Sequence, residues 1–383
     1  MKALESKLPS VGTTIFTIMS ALAEKHRAVN LSQGFPNFQP PAGLVELVDR
    51  HMHGGRFHQY APMPGSVSLR AAVAEKLERL YGVSANPDTE ITVTSGATEA
   101  IFDAIQAVVR RDDEVVVLDP CYDSYEPSIM LAGGRVVHLP LAPPAFAIDW
   151  ERFEAALSAR TRLVIVNTPH NPAGTLLSAA DLDQLAALLR RYDCYVLSDE
   201  VYEHVVFDGR LHATALAQAE LRPRCFAVFS FGKTYHATGW KLGYCVAPPE
   251  LTAELRRVHQ YVTFASTSPL QEALADYMRE HPEHHLGLPT FYEERRDYFN
   301  RLLADTKFTV RPSAGTYFQL ADYGAISDLP DVEFARWLTI EHGVAVIPIS
   351  VFYREPPTAR LVRFCFAKED ATLGEAARRL RAL

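Results

Sequence analysis

Two charges of opposite sign stand where apolar runs end. Asp199 closes "YVLSD", and Lys233 follows "CFAVFSFG" 34 residues later. A carboxylate or an ammonium beside a dry strand end is costly unless it is paired or hydrogen-bonded, so both side chains require partners. A lysine with an ordinary pKa of ~10.4 is almost wholly protonated at pH 7 and is no nucleophile. Condensation with an aldehyde displaces that proton and would make position 233 a covalent catalyst. The competing reading takes Gly232, Lys233 and Thr234 as the tail of a phosphate-cradling nucleotide loop. Such a loop needs a glycine five positions before Gly232, where this chain has Ala227 inside an extended apolar run. The following "HATGWKLGYCVA" returns to strand-like residues without a clear helix, so the nucleotide reading fails on spacing.

The other apolar runs end on a coherent set of residues. In an open parallel sheet covered by helices, ligands bind beyond the carboxyl ends of the strands. After "ITVT" comes "SGATEA", a small-residue turn at a helix start, where free N–H groups favour a phosphate. Taken by itself, that turn is read more simply as Ser95 or Thr98 capping the helix. After "EVVVLDP" come Tyr122 and Tyr125, rings able to stack on a planar ligand or merely to pack. After "LVIVN" comes "TPHNPAG", a rigid turn that would fix Asn171 as a donor, and Tyr202 follows Asp199 by three residues.

The elements that must position these residues are readable from pattern. A chain of 383 residues exceeds one ordinary hydrophobic core and suggests about two domains. With 48% hydrophobic and 22% charged residues it belongs with soluble globular proteins. A net charge of −8 without a basic run gives no footprint for nucleic acid. No apolar stretch approaches the ~20 residues that span a bilayer, and the N-terminus lacks the pattern of a cleaved leader. Five widely spaced cysteines without a C-x-x-C pair fit reduced thiols and a cytoplasmic location. Between Ile91 and Ala247, seven apolar runs alternate with helix-like segments, the pattern of an α/β protein with a mostly parallel sheet between helices. "ATEAIFDAIQAVVRR" and "AADLDQLAALLRRY" read as helices with basic ends, and "FYEERRDYFNRLLADT" as a long amphipathic helix leading into a smaller α+β unit. The expected division is an N-terminal arm and part of the small domain over 1–45, a large domain over 46–281 and a small C-terminal domain over 282–383. The histidine clusters at His51 to His53 and His281 to His285 lack a matching second ligand pair and read as solvated helix ends, with no metal expected.

Together, "NPAG", "SDEVY", "SFGKTY" and the basic-glycine pair of "GWKLGY" resemble the pyridoxal-phosphate-dependent class I/II aminotransferases of fold type I. The resemblance runs from "LSQGFPNF" to "VRFCFA". "QYAPMPG" and "HQYVTF" place it near the methionine aminotransferases and the kynurenine transaminase or glutamine transaminase K group. It implies that pyridoxal 5′-phosphate is carried covalently on Lys233, with Asp199 keeping its pyridine nitrogen protonated so that the ring acts as an electron sink. It further implies Tyr202 and Asn171 on the ring oxygen, Tyr122 on the ring face, and Ala97, Thr98, Ser230 and Lys241 around the phosphate. Many relatives carry arginine where Lys241 stands; lysine keeps the charge but not the planar fork. Tyr60 matches a tyrosine that reaches the phosphate from a neighbouring subunit, which implies a homodimer with shared active sites. Arg363 matches the arginine that clamps the substrate carboxylate, and Gly34 would let the backbone close over the substrate.

The implied reaction is a ping-pong exchange between an amino acid and a 2-oxo acid, with Lys233 as the general base. Phe16, Phe35, Tyr60 and Phe264 fall in segments that line the side-chain pocket in the resembled group. Such an aromatic wall suits methionine first, with phenylalanine, tyrosine, histidine, glutamine and kynurenine as neighbours. Two other outcomes of the same scaffold are a β-lyase acting on cysteine S-conjugates and, more remotely, a non-catalytic cofactor-binding regulator.

Overall fold

A computed structural model describes residues 4–383. The seven apolar runs form the seven strands of one sheet: β1 Ile91–Thr94, β2 Glu114–Asp119, β3 Arg135–Pro140, β4 Thr161–Asn167, β5 Tyr195–Asp199, β6 Cys225–Ser230 and β7 Gly243–Val246. Their spatial order is β1-β7-β6-β5-β4-β2-β3, and β7 is antiparallel to both of its neighbours while the other pairs are parallel. Because strand side chains alternate between faces, Val116, Val164 and Val196 enter one core while Val115, Ile165 and Leu197 enter another. Both faces are covered, which is why these strands read as continuous apolar runs rather than as alternating ones. The parallel register brings the carboxyl ends together: Asn167 lies opposite Asp199, and Asp199 opposite Val228 near the end of β6.

Three helices frame the argument that follows: α1 Val67–Tyr81, α2 Ala97–Val108 and α3 His284–Leu303. The basic ends expected for two helices lie outside them. Val109 is already extended, so Arg110 and Arg111 belong to the next turn, while the Ala179–Leu189 helix is capped by Arg190. The long helix begins at His284, ahead of the "FYEER" pattern, and contains Pro289. Its first histidines are not solvated as expected: His285 is buried with its ring centroid 4.9 Å from that of His204, and His284 stacks on Tyr235 at 5.0 Å. Burial explains both departures, since these rings fill space under the chain around Lys233.

A second sheet has β8 Thr309–Val310, β9 Phe318–Asp322, β10 Ile347–Pro348 and β11 Leu361–Cys365 in the antiparallel order β10-β11-β9-β8. Near the N-terminus, Val29–Asn30 pairs in parallel with Val344–Ala345, and the Cys365 N–H donates to the Leu31 carbonyl at 2.8 Å. Those bonds carry the segment through Gly34 alongside β11, which bears Arg363. Met19, Leu31, Tyr292, Tyr317 and Phe364 share the third core.

Beneath the main sheet, Lys76 of α1 meets Glu203 at 2.6 Å, and both side chains are only 4% exposed. Tyr244 and Tyr81 also lie on the Glu203 carboxylate, at 3.4 and 2.5 Å. Removing one member of a buried pair strands the other charge, so Lys76→Met is expected to cost about 3–5 kcal/mol in urea unfolding. The double variant Lys76→Met/Glu203→Gln should recover part of that loss. Equal stabilities of parent and single variant would refute this reading.

Candidate active site

The strand ends open into a cavity of about 310 Å³ lined by Asp199, Lys233, Arg363, Tyr122, Asn171 and the start of α2. Asp199 is buried at the end of β5 and finds its required partners in the Tyr125 hydroxyl, which donates to Oδ2 at 2.6 Å, and the Val201 N–H, which donates to Oδ1 at 3.3 Å. Burial pushes its carboxyl up to about 6 although these donors and Lys233 oppose the shift. The possible stacking role of Tyr125 is thereby corrected. Its hydroxyl is committed to Asp199, and its ring meets Tyr122 edge-on at 5.8 Å. Tyr122 does line the cavity, as does Thr98.

Lys233 rides on one helical turn, Phe231–Thr234, directly after β6. Gly232 makes that turn possible, since a Cβ there would stand 2.9 Å from the Thr238 Cα. Nζ donates to the Gly34 carbonyl at 3.2 Å and to the Tyr317 hydroxyl oxygen at 2.9 Å. Burial brings its pKa down to about 8; Arg363 and Lys241 push in the same direction, while Cys365 and Asp199 push against it. Tyr202 is buried, lines the cavity, and sets its ring 5.5 Å below Nζ.

At the far end lies the start of α2. Its N-cap is Gly96, at φ 83°, and no side chain caps it. The expectation that Ser95 or Thr98 caps this helix is therefore overturned, and the first-turn N–H groups, including those of Ala97 and Thr98, remain available to an anion. Gly243 of β7 permits this placement: a Cβ there would stand 2.7 Å from the Ala97 nitrogen. Ser230 and Lys241 line the same end, with the Lys241 Nζ 3.3 Å from where a Cβ on Gly96 would sit.

Arg363 faces the cavity from β11, only 1% exposed. It donates to Asn171 Oδ1 at 2.7 Å and to the Ser32 carbonyl at 3.3 Å, and its guanidinium lies 3.8 Å over the Phe318 ring. Nε has no hydrogen-bond partner among the described residues, and burial lowers the guanidinium pKa to about 10. A buried cation with an unspent donor is prepared for an anion. Gly34 sits beside it, where a Cβ would lie 2.9 Å from Phe318, and Phe16 completes the wall.

Three expected aromatics lie elsewhere. Phe264 is 41% exposed, outside the cavity, and meets the 83%-exposed Tyr60 edge-on at 5.4 Å. Phe35 is turned away too, its face carrying the Lys368 Nζ at 5.0 Å. In this chain the wall consists instead of Phe16, Phe318 and Ile101. Residues that the sequence reading did not single out are Tyr317, Phe318 and Asn167. Asn167 accepts the Asn171 N–H at 2.7 Å and donates to the Asp199 carbonyl at 2.8 Å. Its place as the last residue of "LVIVN" was the available signal.

The chain is similar to known proteins along nearly its whole length. A family model for aminotransferase class I and II matches residues 26–380. The methionine aminotransferase of Escherichia coli K12 is 55% identical over 99% of this chain and 98% of its own. A crystal structure of an E. coli protein with that function covers all of both chains at a TM-score of 0.97 and 54% identity. Kynurenine–oxoglutarate transaminase 1 of Rattus norvegicus is 33% identical over 98% of this chain and 96% of its own. The N-succinyldiaminopimelate aminotransferase structure from Mycobacterium tuberculosis has a TM-score of 0.96 at 39% identity, covering 99% of this chain and all of its own.

Asp199 supplies a pH test in the ligand-free chain. With its carboxyl raised to about 6, the folded state binds more protons than the unfolded state once pH passes the ordinary carboxylate value. Stability contributed by this group is therefore lost as pH rises from ~4 to about 6, by roughly 3 kcal/mol. Urea unfolding across pH 4 to 7.5 should show a smaller decline in Asp199→Asn than in the parent; superimposable pH profiles would count against it.

Proposed function

Because the chain belongs to the class I and II aminotransferases, we propose that it moves the amino group of methionine to a 2-oxo acid, using pyridoxal 5′-phosphate. Aromatic amino acids, histidine, glutamine and kynurenine are further donors in this reading. The observation that carries it is one cavity holding a half-buried amine, Lys233, between a buried carboxylate, Asp199, and a buried guanidinium, Arg363.

The residues fit the cofactor. An uncapped helix start beside Lys241 and Ser230 suits a phosphate, Tyr122 offers a ring, and the raised carboxyl of Asp199 lacks only a cation. Bound there, pyridoxal 5′-phosphate would supply an aldehyde for the amine and a protonated ring able to accept the electron pair left at Cα. Asp199 would hold the proton on the ring nitrogen, backed by the Tyr125 hydroxyl. Asn171 and Tyr202 would orient the ring oxygen, and Ala97, Thr98, Ser230 and Lys241 would hold the phosphate. Arg363 would grip the substrate carboxylate, with Gly34 and Asn171 alongside. Lys233, lowered to about 8, can lose its proton near neutrality, take the Cα proton and deliver it onward. One Arg363 serves donor and acceptor alike, so the two must occupy the cavity in turn, which gives ping-pong kinetics.

For the substrate, the wall of Phe16, Phe318 and Ile101 favours a side chain that is apolar and polarizable. Among the described lining residues the cations are Lys233, Lys241 and Arg363, all committed in this reading, so a second substrate carboxylate finds no partner among those lining residues. Tyr60 and Phe264 stand exposed as a pair, outside their own cavity. That placement supports a homodimer in which Tyr60 reaches the phosphate of the neighbouring site. The five free cysteines are all buried, in keeping with a reducing cytoplasm.

The test is spectroscopic and kinetic. Protein loaded with the cofactor should absorb near the visible edge and change on adding methionine, with Lys233→Ala losing both the response and turnover by at least ~10³-fold. In a 2-oxo acid panel, methionine should exceed aspartate as donor. A colourless loaded parent protein would refute the cofactor reading, and preference for aspartate the substrate reading.

A further inference from the structure

Tyr317 is completely buried and lies on Lys233 from the segment leading into β9. Its hydroxyl donates to the Gly34 carbonyl at 2.6 Å. A carbonyl oxygen carries no proton, so that bond uses the one hydrogen Tyr317 has. Towards Lys233, 2.9 Å away, Tyr317 can therefore only accept. The Gly34 carbonyl, 3.2 Å from Nζ, can likewise only accept. Burial raises the Tyr317 hydroxyl well above its ordinary pKa, so it stays protonated and this polarity holds across the working pH range.

A neutral amine has two N–H bonds and one lone pair. We propose that Tyr317 is a positioning residue: with the Gly34 carbonyl it takes both N–H bonds of the neutral Lys233 amine and so aims the lone pair into the cavity. When that lone pair takes a proton from the substrate Cα, the amine becomes an ammonium with three N–H bonds. Two remain tied to Tyr317 and Gly34, and the third, carrying the transferred proton, points back into the cavity for delivery. The hydrogen-bond inventory thus selects the direction in which the base works. The Tyr317 ring packs against Tyr202 at 5.1 Å, Tyr292 at 5.6 Å and Phe318 at 5.0 Å, contacts that do not need its hydroxyl. This inference rests on the aminotransferase reading for the identity of the substrate proton, but not for the bonding around Lys233.

The experiment uses Tyr317→Phe, which keeps the buried ring, and reads two quantities. The first is the rate at which Lys233 is reductively methylated by formaldehyde and cyanoborohydride in the cofactor-free chain, followed by mass spectrometry against pH. The groups facing Nζ are the charged Asp199, Arg363 and Lys241 and the Cys365 thiol, with Tyr202 and Tyr317 as the neighbouring hydroxyls, and all but Tyr317 are unchanged in the variant. An acceptor stabilises the ammonium, so its loss should move the labelling midpoint below the parent value of about 8. The second is turnover with methionine: kcat should fall about 10- to 100-fold with KM nearly unchanged, and the Cα-deuterium isotope effect should grow. A labelling midpoint that stays in place, or a kcat and isotope effect that stay in place, overturns the proposal. Failure of the aminotransferase reading would appear instead as absence of turnover in the parent chain, and the labelling comparison would still decide whether Tyr317 holds Lys233.

Discussion

Gathering the buried Arg363 and Asp199 and the half-buried Lys233 into one cavity is the constraint around which the chain is arranged. Each would be strongly disfavoured there without a partner. The partners come from distant parts of the sequence: Tyr125 for Asp199, Asn171 and the Ser32 carbonyl for Arg363, and Tyr317 with the Gly34 carbonyl for Lys233. Parallel strands align the first set, since Asn167 and Asp199 sit opposite one another at adjacent carboxyl ends. The pairing of Val29–Asn30 with Val344–Ala345 provides the second, because it carries Ser32 and Gly34 to the strand bearing Arg363.

The glycines show how closely those pieces approach. Gly34 meets Phe318, Gly243 meets the Ala97 nitrogen, and Gly232 meets Thr238, each at a distance where no side chain fits. These contacts join the site rather than the core. A Cβ at position 243 would push the start of α2 away from the cavity and weaken the anion position at that end. Packing of the two sheets and the electrostatics of the site are thus the same problem solved at shared residues.

How much of this was readable beforehand differs by kind of residue. Asp199 and Lys233 were legible because they stand where apolar runs of strand length end, and Asn171 because a rigid Pro-Gly turn follows such a run; a strand end in an α/β sheet is a defined place. The seven strands were legible for the same reason. Tyr317 was not, because "GTYFQL" has the composition of an ordinary strand and its hydroxyl gains meaning only when Gly34, 283 residues away, lies beside it. Tyr125 was assigned a possible stacking role because sequence gives its proximity to Tyr122 but not the direction of its hydroxyl. The helix start at Gly96 was misread in the opposite sense. Ser95 and Thr98 are good capping residues by type, yet Gly96 takes the N-cap position and the Ser95 hydroxyl lies 3.2 Å from that of Ser266 instead.

The charge balance of the cavity links its two ends. Three cations, Lys233, Lys241 and Arg363, share it with one carboxylate, and Arg363 and Lys241 both help hold Lys233 below its ordinary pKa. An anion arriving at Arg363 or at the start of α2 cancels part of that field. By linkage, the same anion makes the Lys233 amine more basic. In the proposed reaction, an amine that is more easily deprotonated while the anion positions are empty would become a stronger base for a Cα proton once a carboxylate is seated. The surplus of positive charge that makes the cavity attract anions also adjusts the base to what has been bound.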